Sequence, residues 1–281
     1  MERSIVYLDS NVIIDVFKGR DNELLGLLFR SIYSGPYCYP FSAELISEIT
    51  DPEYTDRNNK RMMLVADLSR RVYFENSHTS IGFRNENPET VFNTLNEANI
   101  GIDYNNYFAN FISFEQVLGI RETFGLDSNS LNNMDPIEAI KHINQTLANF
   151  EYQQKPGTQN PPRSMKDMIS IVSSIVEESF KNVGSGFGKK AQHDASRKDI
   201  IMFFSLLDTF GYWGDPRKKY KRGLRLSDAQ HALIGSYFSA VVARDAHFIN
   251  KSRAAYDYMG LNTKTFTTSD FKAHLKDVVV A

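Results

Sequence analysis

The chain has 281 residues, 42% of them hydrophobic, and a formal net charge of −2. This length fits one large domain or two smaller ones, and the apolar fraction supports a sizeable core and excludes wholesale disorder. The near-neutral balance excludes a protein that coats nucleic acid by bulk attraction, while leaving room for a local basic patch. The 20 Phe and 14 Tyr read as core, so their number is no argument for base stacking. Cys38 is the only cysteine, which excludes an intrachain disulfide and a cysteine-based zinc site. Met1 to Ser4 leads into a short strand-like run with no signal-peptide h-region, and no stretch approaches the ~18 apolar residues of a membrane span. The expectation is a soluble cytoplasmic protein in a reducing compartment.

The run Ser4 to Leu8 is β-rich, continuously apolar and ends at Asp9, as a buried parallel strand would. Helical spacing follows at Val12, Ile13, Val16 and Phe17, then, after Lys18-Gly19, at Leu24, Leu25, Leu27, Leu28 and Ile32. Ser34-Gly35-Pro36 is a turn. Tyr37 to Phe41 reads as a second strand with Cys38 in the core, and Ser42 as the cap of a helix carrying Glu44 and Glu48. A helix near 55–70 and a strand at Val72 to Phe74 complete this part.

From about 77 to 220 no convincing strand is found. Helices are expected over 88–98, 104–122 and 135–154. After the loop Lys155 to Pro162, the stripe Met165, Met168, Ile169, Val172, Ile175, Val176 and Phe180 is amphipathic. Gly184 to Gly188 reads as a flexible segment without the P-loop pattern. A further apolar helix is expected over 199–210.

The strand–helix rhythm returns at the C-terminal end. Ser227-Asp228-Ala229-Gln230 has the form of a capping box opening a helix. A strand from Ser239 to Ala243 ends at Arg244-Asp245. A helix over 246–256, a strand from Thr263 to Phe266 and a last helix from Thr268 or Ser269 follow. The pattern predicts an α/β fold with a parallel sheet flanked by helices. It is split in sequence into 1–76 and 221–281 by an all-helical insertion, 77–220.

Four acids stand where chemistry could use them. Asp9 and Asp245 end strands, and ligands of open parallel sheets bind at the carboxyl ends of strands. Glu48 lies in the helix after the second strand, with Glu44 one turn away on the same face. Asp228 opens the helix before the fourth strand. Carboxylates so gathered repel one another unless a cation sits between them. Mg2+ or Mn2+ prefers such oxygen ligands and supplies the charge that activates a water and neutralises a phosphoryl oxygen. The all-carboxylate set therefore points to phosphodiester hydrolysis. The bland readings are a strand-end turn for Asp9 and a dipole-stabilising first-turn acid for Asp228.

The segment Ile5 to Asp15, with Asp9-Ser10-Asn11 after the strand, resembles the opening of PIN domains. Phe41 to Ile49 is similar to the family's second acidic segment, with Glu48 in the ligand position. Leu226 to Ala232 resembles the third and Val242 to Phe248 the fourth. The resemblance covers roughly the first 76 and the last 60 residues. It implies sheet order 3-2-1-4-5, a metal site of Asp9, Glu48, Asp228 and Asp245, and Mg2+- or Mn2+-dependent ribonuclease activity. It also implies products with 5′-phosphate and 3′-hydroxyl ends. Many small members are toxins of toxin–antitoxin pairs, so an antitoxin or other regulatory protein enters as a partner class. The long insertion departs from those small members.

Ser10 and Asn11 read as helix-capping residues that also support Asp9, Asp15 as a solvated helix residue, and His231 and His247 as surface or structural histidines. The basic run Arg217, Lys218, Lys219, Tyr220, Lys221 and Arg222 lies just before Asp228. It is a candidate grip on an RNA backbone, with Tyr220 available for stacking. RNA ranks ahead of DNA as substrate. The competing readings are a PIN-like scaffold that binds RNA or protein without catalysis and, ranked lower, a haloacid-dehalogenase-type phosphatase. The latter needs an aspartate where the chain has Asn11.

Overall fold

Residues 4–8 combine β-branched and aromatic side chains with no polar interruption, and they form the inner strand of a parallel sheet. In the computed structural model, the described residues are 4–35, 37–50, 55–76, 80–97, 113–151, 161–171, 197, 199–218 and 225–279. Strand β1 (Ser4–Leu8) pairs in parallel with β2 (Tyr37–Cys38) on one side and β6 (Ala240–Ala243) on the other; β7 (Lys264–Thr267) pairs with β6. The order is β2-β1-β6-β7, and the sheet is flanked by helices. Val6, Tyr7, Leu8 and all four residues of β6 are buried, as strands covered on both faces must be.

The expected second strand, 37–41, is interrupted. Pro40 has no N–H to give a ladder. Tyr37–Cys38 pairs with β1, whereas β3 (Phe41–Ser42) joins β4 (Val72–Asn76) in parallel. The span beginning at 77 also contains a strand, so it is not all-helical. β5 (Ile81–Asn85) pairs antiparallel with β4 along its whole length. Gly82 and Asn85 are poor strand formers and much of the strand is exposed. Its pairing partner and the contact of Phe83 with Phe74, 5.2 Å between ring centroids, define it instead.

The chain divides into two compact units. The first comprises Met1–Asp103, Leu233–Ile249 and Asn262–Ala281; the second comprises Tyr104–Ala232 and Asn250–Leu261. The first unit holds both sheets and helices α1 (Ser10–Phe17), α2 (Asn22–Ser34), α3 (Ala43–Ile49), α4 (Thr55–Ser69) and α5 (Pro88–Glu97). Its α2 starts at Asp21, which accepts the Leu24 N–H at 3.0 Å, and buries Leu24, Leu27, Leu28 and Ile32. The last helix of the chain, Thr268–Val279, packs on α2 and drives Phe271 and Leu275 into the core. Phe271 meets the Tyr37 and Tyr39 rings edge-on at 6.3 Å. Ion pairs Lys272–Asp21 at 3.0 Å and Lys276–Glu23 at 2.6 Å join the same two helices.

The second unit is helical among its described residues. It contains α6 (Phe114–Phe124), α7 (Ser128–Asn132), α8 (Pro136–Asn149) and α9 (Ile200–Phe210). Ser113 and Gln116 form a capping box, and Asp127 and Asp135 cap α7 and α8. Residues 165–171 are helical, matching the start of the amphipathic stripe, whose remainder from Val172 lies outside the described residues. Gly211 ends α9 at φ +93°, and a Cβ there would collide with Ser128 Oγ, so only glycine serves. Arg121 closes the same end, donating to the carbonyls of Asp208 and Thr209 at 2.6 and 3.1 Å. Beside it the fully buried Lys251 lies 3.2 Å from Asp215 and 3.8 Å from Asp208, and 4.5 Å from the Phe204 ring centroid.

Two helices are common to both units. α10 (Arg225–Gly235) ends in the first unit, and α11 (Ala246–Tyr258) begins there. α10 starts at Arg225, so Ser227 lies inside it and is not its cap; Asp228 stays in the first turn. The final helix is α12 (Thr268–Val279). No described helix is long and apolar enough to cross a membrane.

Candidate metal centre

The site grows from the end of β1. Leu8 is the last paired residue, and the Asp9 N–H still reaches the Val242 carbonyl at 2.9 Å, so Asp9 leaves the sheet at a fixed point. Asp9 caps α1. Its Oδ2 accepts from the Asn11 backbone N–H at 3.4 Å and from Asn11 Nδ2 at 3.2 Å. Ser10 opens the helix and is buried. The short apolar helix that follows anchors the cap through Val12, Ile13 and Val16. Asp9 is 7% exposed.

Glu48 comes from α3, which Ser42 starts by accepting the Leu45 N–H at 3.2 Å. Leu45, Ile46 and Ile49 bury one side of this helix and leave Glu48 exposed at its rim. One carboxylate oxygen of Asp9 and one of Glu48 lie within 4.8 Å of each other, both in the first unit. Of the two acids in α3, Glu48 is the one in this pair. Glu44 acts on the same neighbourhood through Tyr7. Burial raises the Tyr7 phenol well above its ordinary pKa; the Ser42 hydroxyl opposes this, and the charges of Glu44, Asp9 and Glu48 reinforce it. The tyrosine therefore feels three carboxylates of the first unit together.

Asp245 is not grouped with this pair, and Asp228 belongs to the second unit. Asp228 is half-buried, three residues before His231 and on the same side of α10. Asp245 lies at the carboxyl edge of the sheet with Asp9, since β6 runs parallel to β1 with Leu8 opposite Val242. Its Oδ1 accepts the His247 N–H at 2.8 Å at the start of α11. His231, expected as a surface or structural histidine, is buried in the second unit. Of the basic run, Arg217 and Lys218 are exposed, and Arg217 is bonded to Glu115 at 2.6 Å. Lys219, Tyr220, Lys221 and Arg222 lie outside the described residues.

Two carboxylates this close suit a divalent cation that prefers oxygen ligands, such as Mg2+ or Mn2+. No protein-family model, no curated protein and no solved structure matches the chain.

Proposed function

We propose that this protein is a divalent-metal-dependent nuclease that hydrolyses RNA, built on a PIN-like α/β core. The observation that supports the reading is the approach of Asp9 and Glu48 to within 4.8 Å of each other, with Asp9 at the carboxyl edge of a parallel sheet, where such folds bind ligands. In this reading β2 and β3 are one strand bent at Pro40, which gives the order 3-2-1-4-5. Asp9 and Glu48 would hold the metal, and Asp245 lies at the same edge of the sheet as Asp9. When bound, the cation lowers the pKa of a water and offsets charge on the phosphoryl group.

The chain's own residues do the rest. Asn11 fixes the Asp9 carboxylate, so one ligand is oriented before metal or substrate arrives. Burial of Asp9 keeps this ligand away from bulk water, which weakens attraction between charges. Glu48, at the exposed rim, is the ligand placed to face substrate. No side-chain nucleophile is required, so no covalent intermediate is expected.

The test is to incubate purified protein with end-labelled single-stranded and structured RNA in Mn2+, Mg2+ or EDTA, beside Asp9→Asn. Metal-dependent cleavage yielding 5′-phosphate ends is the expected result. Thermal unfolding gives a second readout, because an ion that binds only the folded state raises Tm and the variant should lose that rise. Cyclic-phosphate ends, or full activity in EDTA, would rule the site out. RNA binding without cleavage in any metal would favour the non-catalytic scaffold.

A further inference from the structure

Beside the acidic group lies a cationic pair that the site's chemistry has not used. Asp15 sits on α1 four residues after Asn11, on the same face as the residue that orients Asp9. Its two carboxylate oxygens hold two arginines: Oδ1 accepts from Arg20 Nη1 at 2.9 Å and Oδ2 from Arg244 Nη1 at 2.7 Å. Arg20 follows the end of α1, and Arg244 lies between the end of β6 and Asp245. The Asp15 side chain is 16% exposed, while those of Arg20 and Arg244 are 57% and 54% exposed. The acid is shielded beneath its partners and the guanidiniums face solvent. Among the described residues neither guanidinium makes another hydrogen bond.

Exposed ion pairs of this kind add little to stability. An arrangement of two cations on one anion leaves a net positive charge and forked donors free for planar recognition of phosphate. Six residues separate Asp15 from Asp9, about 9 Å along a helix at 1.5 Å per residue. A stacked strand advances ~3.4 Å per nucleotide, so this is a distance of about two or three nucleotides. We propose that Arg20 and Arg244, held as a pair by Asp15, grip a phosphate of the RNA strand a few nucleotides from the bond that is cut. Asp15 is a positioning residue: it touches no substrate and sets the spacing of the two forks. The proposal rests on the nuclease reading.

The experiment measures binding of an end-labelled single-stranded RNA by fluorescence polarisation in EDTA, across a salt titration. Arg20→Gln and Arg244→Gln should each weaken binding roughly fivefold at low salt and flatten the slope of log affinity against log salt by roughly 0.7. Asp15→Asn keeps both cations, so it should retain the parental slope while losing about threefold in affinity. Tighter binding by Asp15→Asn would make Asp15 a mere competitor and overturn the positioning role. Parental affinity and slope in the double arginine variant would overturn the grip and leave the nuclease reading standing, provided the parent still cleaves RNA in Mn2+. A parent that neither binds nor cleaves RNA would sink both.

Discussion

At the scale of single residues, the site depends on one carboxylate whose place is set three times over. Asp9 is pinned by its N–H to Val242, by its cap of α1 and by Asn11. Asparagine caps a helix as well as aspartate does, so Asp9→Asn should fold with near-parental stability while losing the charge that would hold metal in the proposed site. The expected loss of RNA cleavage is at least ~100-fold, with Mn2+ affinity by calorimetry falling in parallel. A folded variant with parental Mn2+ affinity would show that Asp9 is a structural cap only. Asp9 and Glu48 were legible as candidates because one sits at a recognisable strand end and the other in the first turns of a capped helix; their closeness to each other leaves no local mark.

At the scale of elements, the two chain ends are welded by α2 and α12. Phe271 is fully buried against Tyr37, Tyr39 and Phe266. Phe271→Ala should cost about 3–5 kcal/mol by urea denaturation, the range for a large aromatic removed from a core. A loss below about 1 kcal/mol would mean that α12 does not seal this face. In the second unit, Lys251→Met would leave the Asp208 and Asp215 carboxylates buried without their cation. It should destabilise by about 3–5 kcal/mol, whereas Lys251→Met combined with Asp215→Asn should recover part of the loss. Elements with strong periodicity were legible: β1, α1, α2, β6 and α9 lie within a residue or so of where apolar spacing puts them. The break at Pro40 and strand β5 were not. β5 has a glycine and exposed polar positions, and its strand character comes from β4 and the Phe74 and Phe238 rings. A partner distant in sequence overrides a weak local preference.

At the scale of the whole molecule, the tyrosines make the fold sensitive to alkali. Burial raises Tyr73 and Tyr212 to about 12 and pushes Tyr7, Tyr39 and Tyr256 up as well. Each folded pKa lies above the unfolded value near 10, so between those limits the native state holds protons that the unfolded chain releases. This contribution is fully present below pH 10 and is lost as pH rises toward 12. Unfolding free energy should fall on the order of 1 kcal/mol per pH unit for each such phenol. Urea unfolding at stepped pH, with phenolate absorbance followed in parallel, measures it. A stability that stays flat from about pH 9 to 11.5 would mean that these rings titrate without unfolding the core.

Sequence alone determined the parts of this protein that local physics controls: an α/β alternation at both ends, buried parallel strands ending in acids, and helix starts with oxygen-bearing caps. Each of these leaves a short-range mark, either a hydrophobic period or a residue type at a terminus. Tertiary structure alone decided that Asp9 and Glu48 stand within 4.8 Å of each other and that the chain on the two sides of Pro40 pairs in different sheets. It also decided that Asp15 carries Arg20 from its own neighbourhood and Arg244 from 229 residues away. Those outcomes depend on pairings between segments far apart in the chain. The energy of such contacts is realised only once the sheet has brought its strands together, so nothing local records them.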